Sequence, residues 1–145
     1  CLFAVGVALA VVQGVFVARF KWSPHTLLRG GPPIMVVGLI CAVLAPSVPL
    51  LVAAFAVMGV GGGLLFPGFT SGASLAVSED EQGAMAGLNT ATNGAGAVFG
   101  PLIATALYQI DVTAPFLAGA VVFAALTVFA WAHPTLWPAN MPKVE

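Results

Sequence analysis

The feature that most constrains this chain is a series of long apolar runs that carry almost no charge. Between Arg29 and Glu79 the sequence contains no Asp, Glu, Lys or Arg, and the stretch 82–110 contains none either. Over the whole chain 60% of residues are hydrophobic and 6% are charged, whereas a soluble domain carries about 25% charged residues. Such a chain lacks the polar side chains that a water-facing surface needs, so we expect a membrane protein.

Five of these runs are long enough to cross a membrane, because a spanning helix needs about 20 apolar residues. The predicted spans are residues 2–18, 27–45, 49–77, 83–108 and 114–131. Backbone groups in lipid must bond internally, which leaves helices or closed strands, and the runs show no alternation of apolar and polar residues. The predicted fold is therefore all-α, a polytopic membrane bundle with five transmembrane helices.

The connections between the runs carry signals for helix starts. In "SPHT", Ser23 is suited to cap a helix and Pro24 to occupy its first position. "SEDE" fits a capping box in which Glu81 reaches back to Ser78. The third run is long for one span, so we expect it to tilt, or to bend at Pro67.

The basic residues set the expected orientation in the membrane. Arg19, Lys21 and Arg29 lie around the first connection and Lys143 lies near the C-terminus, and alternating spans place these two regions on one side. That side is expected to be cytoplasmic. Aromatic residues near the span ends fit an interfacial belt: Trp22, Tyr108, Trp131 and Trp137.

Small residues and prolines concentrate in the third and fourth runs. Three pairs of glycines stand four residues apart: Gly59 and Gly63, Gly68 and Gly72, and Gly96 and Gly100. Such pairs let the backbones of neighbouring helices approach closely. Pro67 and Pro101 each remove a backbone hydrogen bond within a span. Bent, glycine-lined helices suit a bundle that moves, and they suit a static one equally.

The segment "NTATNGAGAVFGP", residues 89–101, places amides and small residues inside an apolar run. At about 100° per residue, the side chains of one narrow stripe are Asn89, Asn93, Gly96 and Gly100. The stripe must look into the bundle, because amides that face lipid are costly. Two interpretations stay open: hydrogen bonding to a neighbouring helix beside a packing seam, or the border of a water-filled cavity. We expect close helix packing at the glycine end and polar surroundings near the asparagines.

Groups that carry chemistry are sparse. No Asp, Glu or Lys lies within a predicted span interior, so a carboxylate for ion coupling would have to lie outside this stretch. "SGASLA", residues 71–76, has a faint likeness to the serine motif of intramembrane proteases, but Ser74 lacks the glycine that should follow it. His133, the candidate base, comes just before a proline at the expected interface. We therefore expect a protein that is not an enzyme.

Cofactors and nucleic acids are not expected as ligands. Cys1 and Cys41 both lie in apolar context and indicate neither a disulfide framework nor a metal site. The net charge of -1 argues against a nucleic-acid partner.

The stretch "GVGGGLLFPGFTSGASLAVSEDEQGAMAGLNTATNGAGAVFGPLIATALY" resembles the tenth and eleventh helices of major facilitator superfamily transporters, especially the drug:proton antiporters. In that family a glycine-rich helix with a mid-span proline is followed by a short acidic loop and a helix with a Gly-Pro pair. Gly96, Gly100 and Pro101 are similar to the antiporter motif GxxxGPxxGG, which belongs to helix five, the pseudo-symmetric counterpart of helix eleven. Ile103 and Ala104 stand where the motif has its last two glycines.

The first connection, "GVFVARFKWSPHTLL", looks like a degenerate copy of the family's loop motif GxLaDrxGrkxxL. Gly14 and Arg19 match this motif, and Ala18 stands where it has an acid. The second cytoplasmic loop carries the opposite charge, so we expect one of its acids to pair with Arg19 or Arg29 in one conformation of a transport cycle. The candidate acids are Glu79, Asp80 and Glu81.

The resemblance covers nearly the whole chain, as helices eight to twelve of a twelve-helix fold that works by alternating access. We expect a C-terminal part, with residues 1–133 as its transmembrane bundle and 134–145 as a cytoplasmic tail, in the plasma membrane of a bacterial-type cell. The expected function is proton-coupled export of drugs or other small organic molecules. The expected partners are the lipid bilayer, the substrate, protons and the preceding helices. The alternatives are a nutrient symporter of the same fold and a non-transporting helical scaffold or assembly subunit.

Overall fold

The computed structural model describes residues 6–7, 10–12, 14 and 23–132, and every regular element within them is helical. Four long helices follow one another: α1 (Pro24–Leu44), α2 (Val48–Leu75), α3 (Gln82–Ile110) and α4 (Ala114–Ala132). A short 3₁₀ turn, Glu79–Glu81, leads into α3. The predicted all-α fold is confirmed, and α1 to α4 agree with the second to fifth predicted spans to within a few residues. Most of the first predicted span lies outside the described residues.

Two of the helix starts follow the capping signals in the sequence. Ser23 Oγ accepts a hydrogen bond from the backbone N–H of Thr26 at 3.4 Å, and Pro24 opens α1. Before α3, the Glu81 carboxylate accepts hydrogen bonds from the backbone N–H of Ser78 at 3.3 Å and from its hydroxyl at 2.8 Å. Both predicted caps are therefore confirmed.

Prolines lie inside three of the four helices without ending them. The sequence predicts Pro67 and Pro101 within spans, and they lie inside α2 and α3. In α1, Pro32 and Pro33 also lie inside the helix. A proline removes one backbone donor, and a membrane helix tolerates this where another group satisfies the carbonyl that is left over.

Three of the described helices, α1, α2 and α4, are long and apolar enough to cross a membrane, judged by length and composition. At 29 residues α3 has the length of a span, but its amides and hydroxyls make it less apolar. That α3 spans the membrane stays a prediction.

Glycines hold α1 and α2 together as a close antiparallel hairpin. A Cβ on Gly61 would lie 2.8 Å from Met35 Cγ and 3.1 Å from the carbonyl oxygen of Gly31. A Cβ on Gly68 would lie 2.9 Å from the Cβ of Leu27, near the start of α1. These distances leave no room for a side chain, so the two backbones approach one another as small residues in membrane helices allow.

Helix α4 lies along α1 in the opposite direction. A Cβ on Gly119, early in α4, would lie 3.4 Å from a methyl group of Leu39, which is near the end of α1. At the other end of the same pair, the side chain of Trp131 contacts Arg29. The beginning of α1 and the end of α4 therefore lie at one end of the bundle.

The core of the described residues is small and lies among α1, α2, α4 and residues 10–12. Val12, Leu27 and Leu64 form a buried cluster. Phe55 of α2 and Phe116 of α4 meet edge to face, with ring centroids 6.3 Å apart. No residue of α3 is buried. Helix α3 therefore lies at the margin of the unit that α1, α2 and α4 form.

Candidate functional site

A cleft of about 160 Å³ lies between the end of α2 and the beginning of α3. Its lining consists of Thr70, Ala73, Ser74, Gln82, Met85, Ala86 and Asn89. Hydroxyl groups, amides and a thioether meet there, and none of these side chains is ionisable. The cleft therefore offers hydrogen-bond donors and acceptors together with adaptable apolar contact, and no fixed charge.

Sequence reasoning found one residue of this lining and missed others. Asn89, from the predicted amide–glycine stripe, is half-buried at the cleft. Thr70, Ser74 and Gln82 were missed as lining residues. A signal was present, because Thr70 and Ser74 stand four residues apart and so share a face of α2. The Thr70 hydroxyl donates a hydrogen bond to the carbonyl of Phe66 at 3.0 Å, which satisfies it within the helix.

The two asparagines of the stripe bond to each other. Asn93 Nδ2 donates to the side-chain oxygen of Asn89 at 2.9 Å and to its backbone carbonyl at 3.0 Å. The hydroxyls of Thr90 and Thr92 likewise donate to carbonyls one turn earlier. These bonds lie within α3, which lets polar side chains occur on a helix with few neighbours. Whether the asparagines also border a cavity or bond to a further helix stays a prediction.

The glycine end of the stripe meets no other helix in the described part of the chain. A Cβ on Gly96 or Gly100 would have no atom of α1, α2 or α4 within 4 Å. The close packing predicted here is therefore not made with these helices, and it stays a prediction for contacts outside them. Pro101 follows Gly100 and removes the amide donor for the carbonyl of Ala97.

The predicted glycine seam of α2 lies inside the bundle. Gly59 and Gly63 are buried, and Pro67 is half-buried one turn further on. Gly68, which the four-residue spacing selected, and Gly61, which it did not, both lie against α1. Spacing identifies glycines that share a face, but it does not show which face meets a given neighbour.

An arginine and an aromatic ring meet at the end of the bundle that the basic residues predict to be cytoplasmic. The guanidinium carbon of Arg29 lies 5.3 Å from the ring centroid of Trp131, within the range of a cation–π contact. The indole N–H of Trp131 donates to the carbonyl oxygen of Arg29 at 3.3 Å. Trp131 thus lies at a helix end, as predicted, and its contacts join α4 to α1.

That an acid of the second cytoplasmic loop pairs with Arg19 or Arg29 stays a prediction. The Glu81 carboxylate bonds to Ser78, whose hydroxyl and then backbone N–H hold the pKa of Glu81 below its usual range. Glu79 and Asp80 are exposed. In the first connection Gly14 is exposed, and Arg19 lies outside the described residues.

Comparison with known families agrees with the fold. The family model of the Major Facilitator Superfamily matches residues 1–141, nearly the whole chain and all four described helices. No curated protein and no solved structure matches the chain. The apolar helices α1, α2 and α4 fit an integral membrane protein. The chain therefore belongs to the major facilitator superfamily, whose members transport small molecules across membranes.

Proposed function

We propose that this protein exports drugs or other small organic molecules in exchange for protons, by alternating access in the plasma membrane of a bacterial-type cell. Family membership supports membrane transport of small molecules in general. The likeness of Gly96, Gly100 and Pro101 to the antiporter motif supports the narrower assignment to export.

The observation that carries the proposal is the neutral, polar lining of the cleft between α2 and α3. Thr70 and Ser74 supply hydroxyls, Gln82 and Asn89 supply amides, and Met85 supplies a flexible thioether. Organic ligands are typically bound by apolar contact and a few placed polar groups, whereas inorganic ions need charged or multiple oxygen ligands. The lining therefore suits organic substrates, and we assign this cleft to the substrate path.

Proton coupling requires a titratable group, and the four described helices contain no carboxylate. Intramembrane carboxylates are the usual carriers of protons in transporters. The proposal therefore places the coupling carboxylate outside α1 to α4, and it assigns contact with the substrate to the end of α2 and the start of α3.

The same proposal assigns a role to each end of the amide–glycine stripe of α3. Its glycine end, Gly96 and Gly100, would pack on further helices of the transporter, and its amide end would border the substrate path. The hydrogen bond between Asn93 and Asn89 supports this, because it satisfies part of each amide and leaves the remaining groups for water or substrate.

The test is transport in inside-out membrane vesicles that contain the full-length protein, in which export appears as uptake. A panel of fluorescent organic dyes is added while respiration acidifies the lumen. We expect dye uptake that stops when a protonophore collapses the gradient, and no uptake in vesicles without the protein. Proton-driven accumulation only in right-side-out vesicles would instead support the nutrient symporter. No gradient-dependent movement in either orientation, for dyes and nutrients alike, would support the scaffold.

A further inference from the structure

Asn93 lies one helical turn beyond the cleft between α2 and α3 and is not part of its lining. It bonds to Asn89, which is part of that lining. The neutral, polar lining suits many organic groups. The bond between the two asparagines narrows the choice, because it determines which polar atom of Asn89 the cleft presents.

The hydrogen bonds fix the orientation of both amides. Asn93 Nδ2 lies 3.0 Å from the backbone carbonyl oxygen of Asn89, and that oxygen can only accept. The second hydrogen of the same nitrogen goes to the Asn89 side chain at 2.9 Å, where the facing atom must be the amide oxygen. The oxygen of Asn89 is therefore turned toward Asn93. The group of Asn89 that is left for the cleft is its NH₂, a hydrogen-bond donor.

The position of Asn89 in the cleft makes this donor selective. Met85 and Asn89 are half-buried, whereas Gln82, at the first position of α3, is exposed. A side chain that is already held by packing and by a hydrogen bond loses less conformational freedom on binding than an exposed one. Asn89 is therefore the lining amide that is best placed to select a ligand.

On the α2 side of the cleft, the proton of the Thr70 hydroxyl is used within the helix. The hydroxyl donates to the carbonyl oxygen of Phe66 at 3.0 Å, and the carbonyl oxygen of Pro67 lies 3.3 Å away. Thr70 therefore presents an acceptor to the cleft. A ligand atom that only accepts, such as a carbonyl oxygen, finds its donor at Asn89 and not at Thr70.

The size of the cleft suits one ring of a ligand. Its volume is about 160 Å³, and a cavity of roughly 150 Å³ holds one molecule of benzene. The thioether of Met85 offers adaptable apolar contact to such a ring. A ring that carries a carbonyl group would pack on Met85 while its oxygen accepts a hydrogen bond from Asn89.

We propose that this cleft selects organic molecules with a ring carbonyl (a ketone, a lactone or a lactam), and that Asn93 sets this preference by keeping the NH₂ of Asn89 toward the ligand. The inference rests on the proposed function in treating such molecules as substrates. Asn93 is a positioning residue, because it acts through Asn89 and does not line the cleft.

The test measures how well a ligand protects Ser74→Cys from a water-soluble thiol reagent. It uses the full-length protein in detergent, in a background that lacks every other cysteine. Coumarin is compared with chromene, in which a methylene group replaces the carbonyl. We expect coumarin to protect at a concentration roughly twofold to tenfold lower, the usual effect of one neutral hydrogen bond. Asn89→Leu removes the donor and should abolish this preference.

Asn93→Asp tests the positioning role. The new carboxylate accepts but cannot donate, so it should bond to the NH₂ of Asn89 and turn the Asn89 oxygen toward the cleft. Coumarin should then lose its advantage. Indole, which offers an N–H donor, should protect better than indene, in which a methylene group replaces the N–H. Asn93→Ala should reduce the preference for coumarin without reversing it, whereas a merely structural role of Asn93 would weaken all four ligands alike.

Equal protection by coumarin and chromene, including none by either, would contradict the proposal. So would a preference for coumarin that Asn93→Ala leaves unchanged, and this variant decides the matter if Asn93→Asp does not accumulate. Protection is measured without a gradient, so the outcome is separate from transport. A preference for coumarin in a protein that moves no dye would refute export alone, and dye uptake with equal protection would refute the carbonyl preference alone.

Discussion

The indole N–H of Trp131 donates to the carbonyl oxygen of Arg29 at 3.3 Å, across 102 positions of the chain. No amide within α1 is placed to bond this oxygen, because the residues three and four positions on are Pro32 and Pro33. A carbonyl that loses its donor within the helix needs a partner from elsewhere. The indole N–H of Trp131 therefore replaces the backbone donor that the prolines remove from α1. The guanidinium of Arg29 also lies over the ring of Trp131.

Replacing Trp131 with Phe should destabilise the protein, because an aromatic ring stays and the N–H donor is lost. We expect the free energy of unfolding to fall by about 0.5–1.5 kcal/mol, the usual contribution of one hydrogen bond. Pro33→Ala returns an amide donor to the Arg29 carbonyl. In that background the loss caused by Trp131→Phe should be smaller.

A double-mutant cycle on unfolding in detergent measures this coupling between Pro33 and Trp131. Trp131→Leu serves as a further comparison, since it removes the ring as well and should destabilise more than Trp131→Phe. The compensation is refuted if Trp131→Phe has the same effect with and without Pro33→Ala.

The glycine contact between α1 and α2 provides a prediction with a matched control. Gly61→Ala should destabilise the protein by about 1–3 kcal/mol, because its Cβ would lie 3.0 Å from the backbone N of Met35 and 3.1 Å from the Gly31 oxygen. Gly62→Ala places the same group where nothing lies within 4 Å. It should be neutral or stabilise by about 0.5–1 kcal/mol, since alanine favours the helix. Thermal unfolding that is equal for both variants would contradict the close contact.

Local signals in the sequence predict two of the helix starts, because capping residues mark them. Ser23 and Pro24 mark α1, and Ser78 and Glu81 mark α3. Contacts between helices depend on residues far apart in the chain, and a single sequence does not show them. Periodicity therefore placed Asn89 on a polar face but did not reveal that the end of α2 completes a cleft beside it.

Two further features also depend on contacts between helices. Trp131 was predicted to lie at a helix end, but its hydrogen bond partner follows from the antiparallel packing of α4 on α1. Helix periodicity also assigned the stripe of α3 to a packed face. Its glycines meet no helix in the part of the chain that the structure describes.

The capping box before α3 predicts a dependence on pH. Bonds from Ser78 lower the pKa of Glu81 below its ordinary value of 4.5. A carboxyl group whose pKa is lowered by folding stabilises the fold above that ordinary value, and the contribution is lost as the pH falls through the lowered pKa. Glu81→Gln should therefore reduce hydrogen-exchange protection at the start of α3 at neutral pH, and the difference from wild type should vanish in acid.

Glu79→Gln changes the net charge by the same amount and leaves the capping carboxylate in place, so it should keep the protection of α3. A Glu81→Gln effect that persists undiminished well below pH 4.5 would show that the charge of Glu81 does not stabilise the cap.

The orientation in the membrane can be measured with single cysteines. Ser47 and Ser78 are exposed in the connections at opposite ends of α2. In a background that lacks Cys1 and Cys41, an impermeant thiol reagent should label Ser47→Cys in intact cells, whereas Ser78→Cys should react only after the cells are opened. Labelling at 78 but not at 47 would reverse the predicted orientation.

The most direct test of the central claim is whether a transported dye protects the cleft between α2 and α3. Ser74→Cys, in the same cysteine-free background, should react with a water-soluble thiol reagent, because Ser74 lines this polar cleft. A saturating concentration of a transported dye should slow that reaction. Ser47→Cys, exposed in the connection before α2 and at the other end of that helix from the cleft, should react at a rate that the dye does not change. If the dye leaves the Ser74→Cys rate unchanged, or slows both rates equally, the cleft is not part of the substrate path.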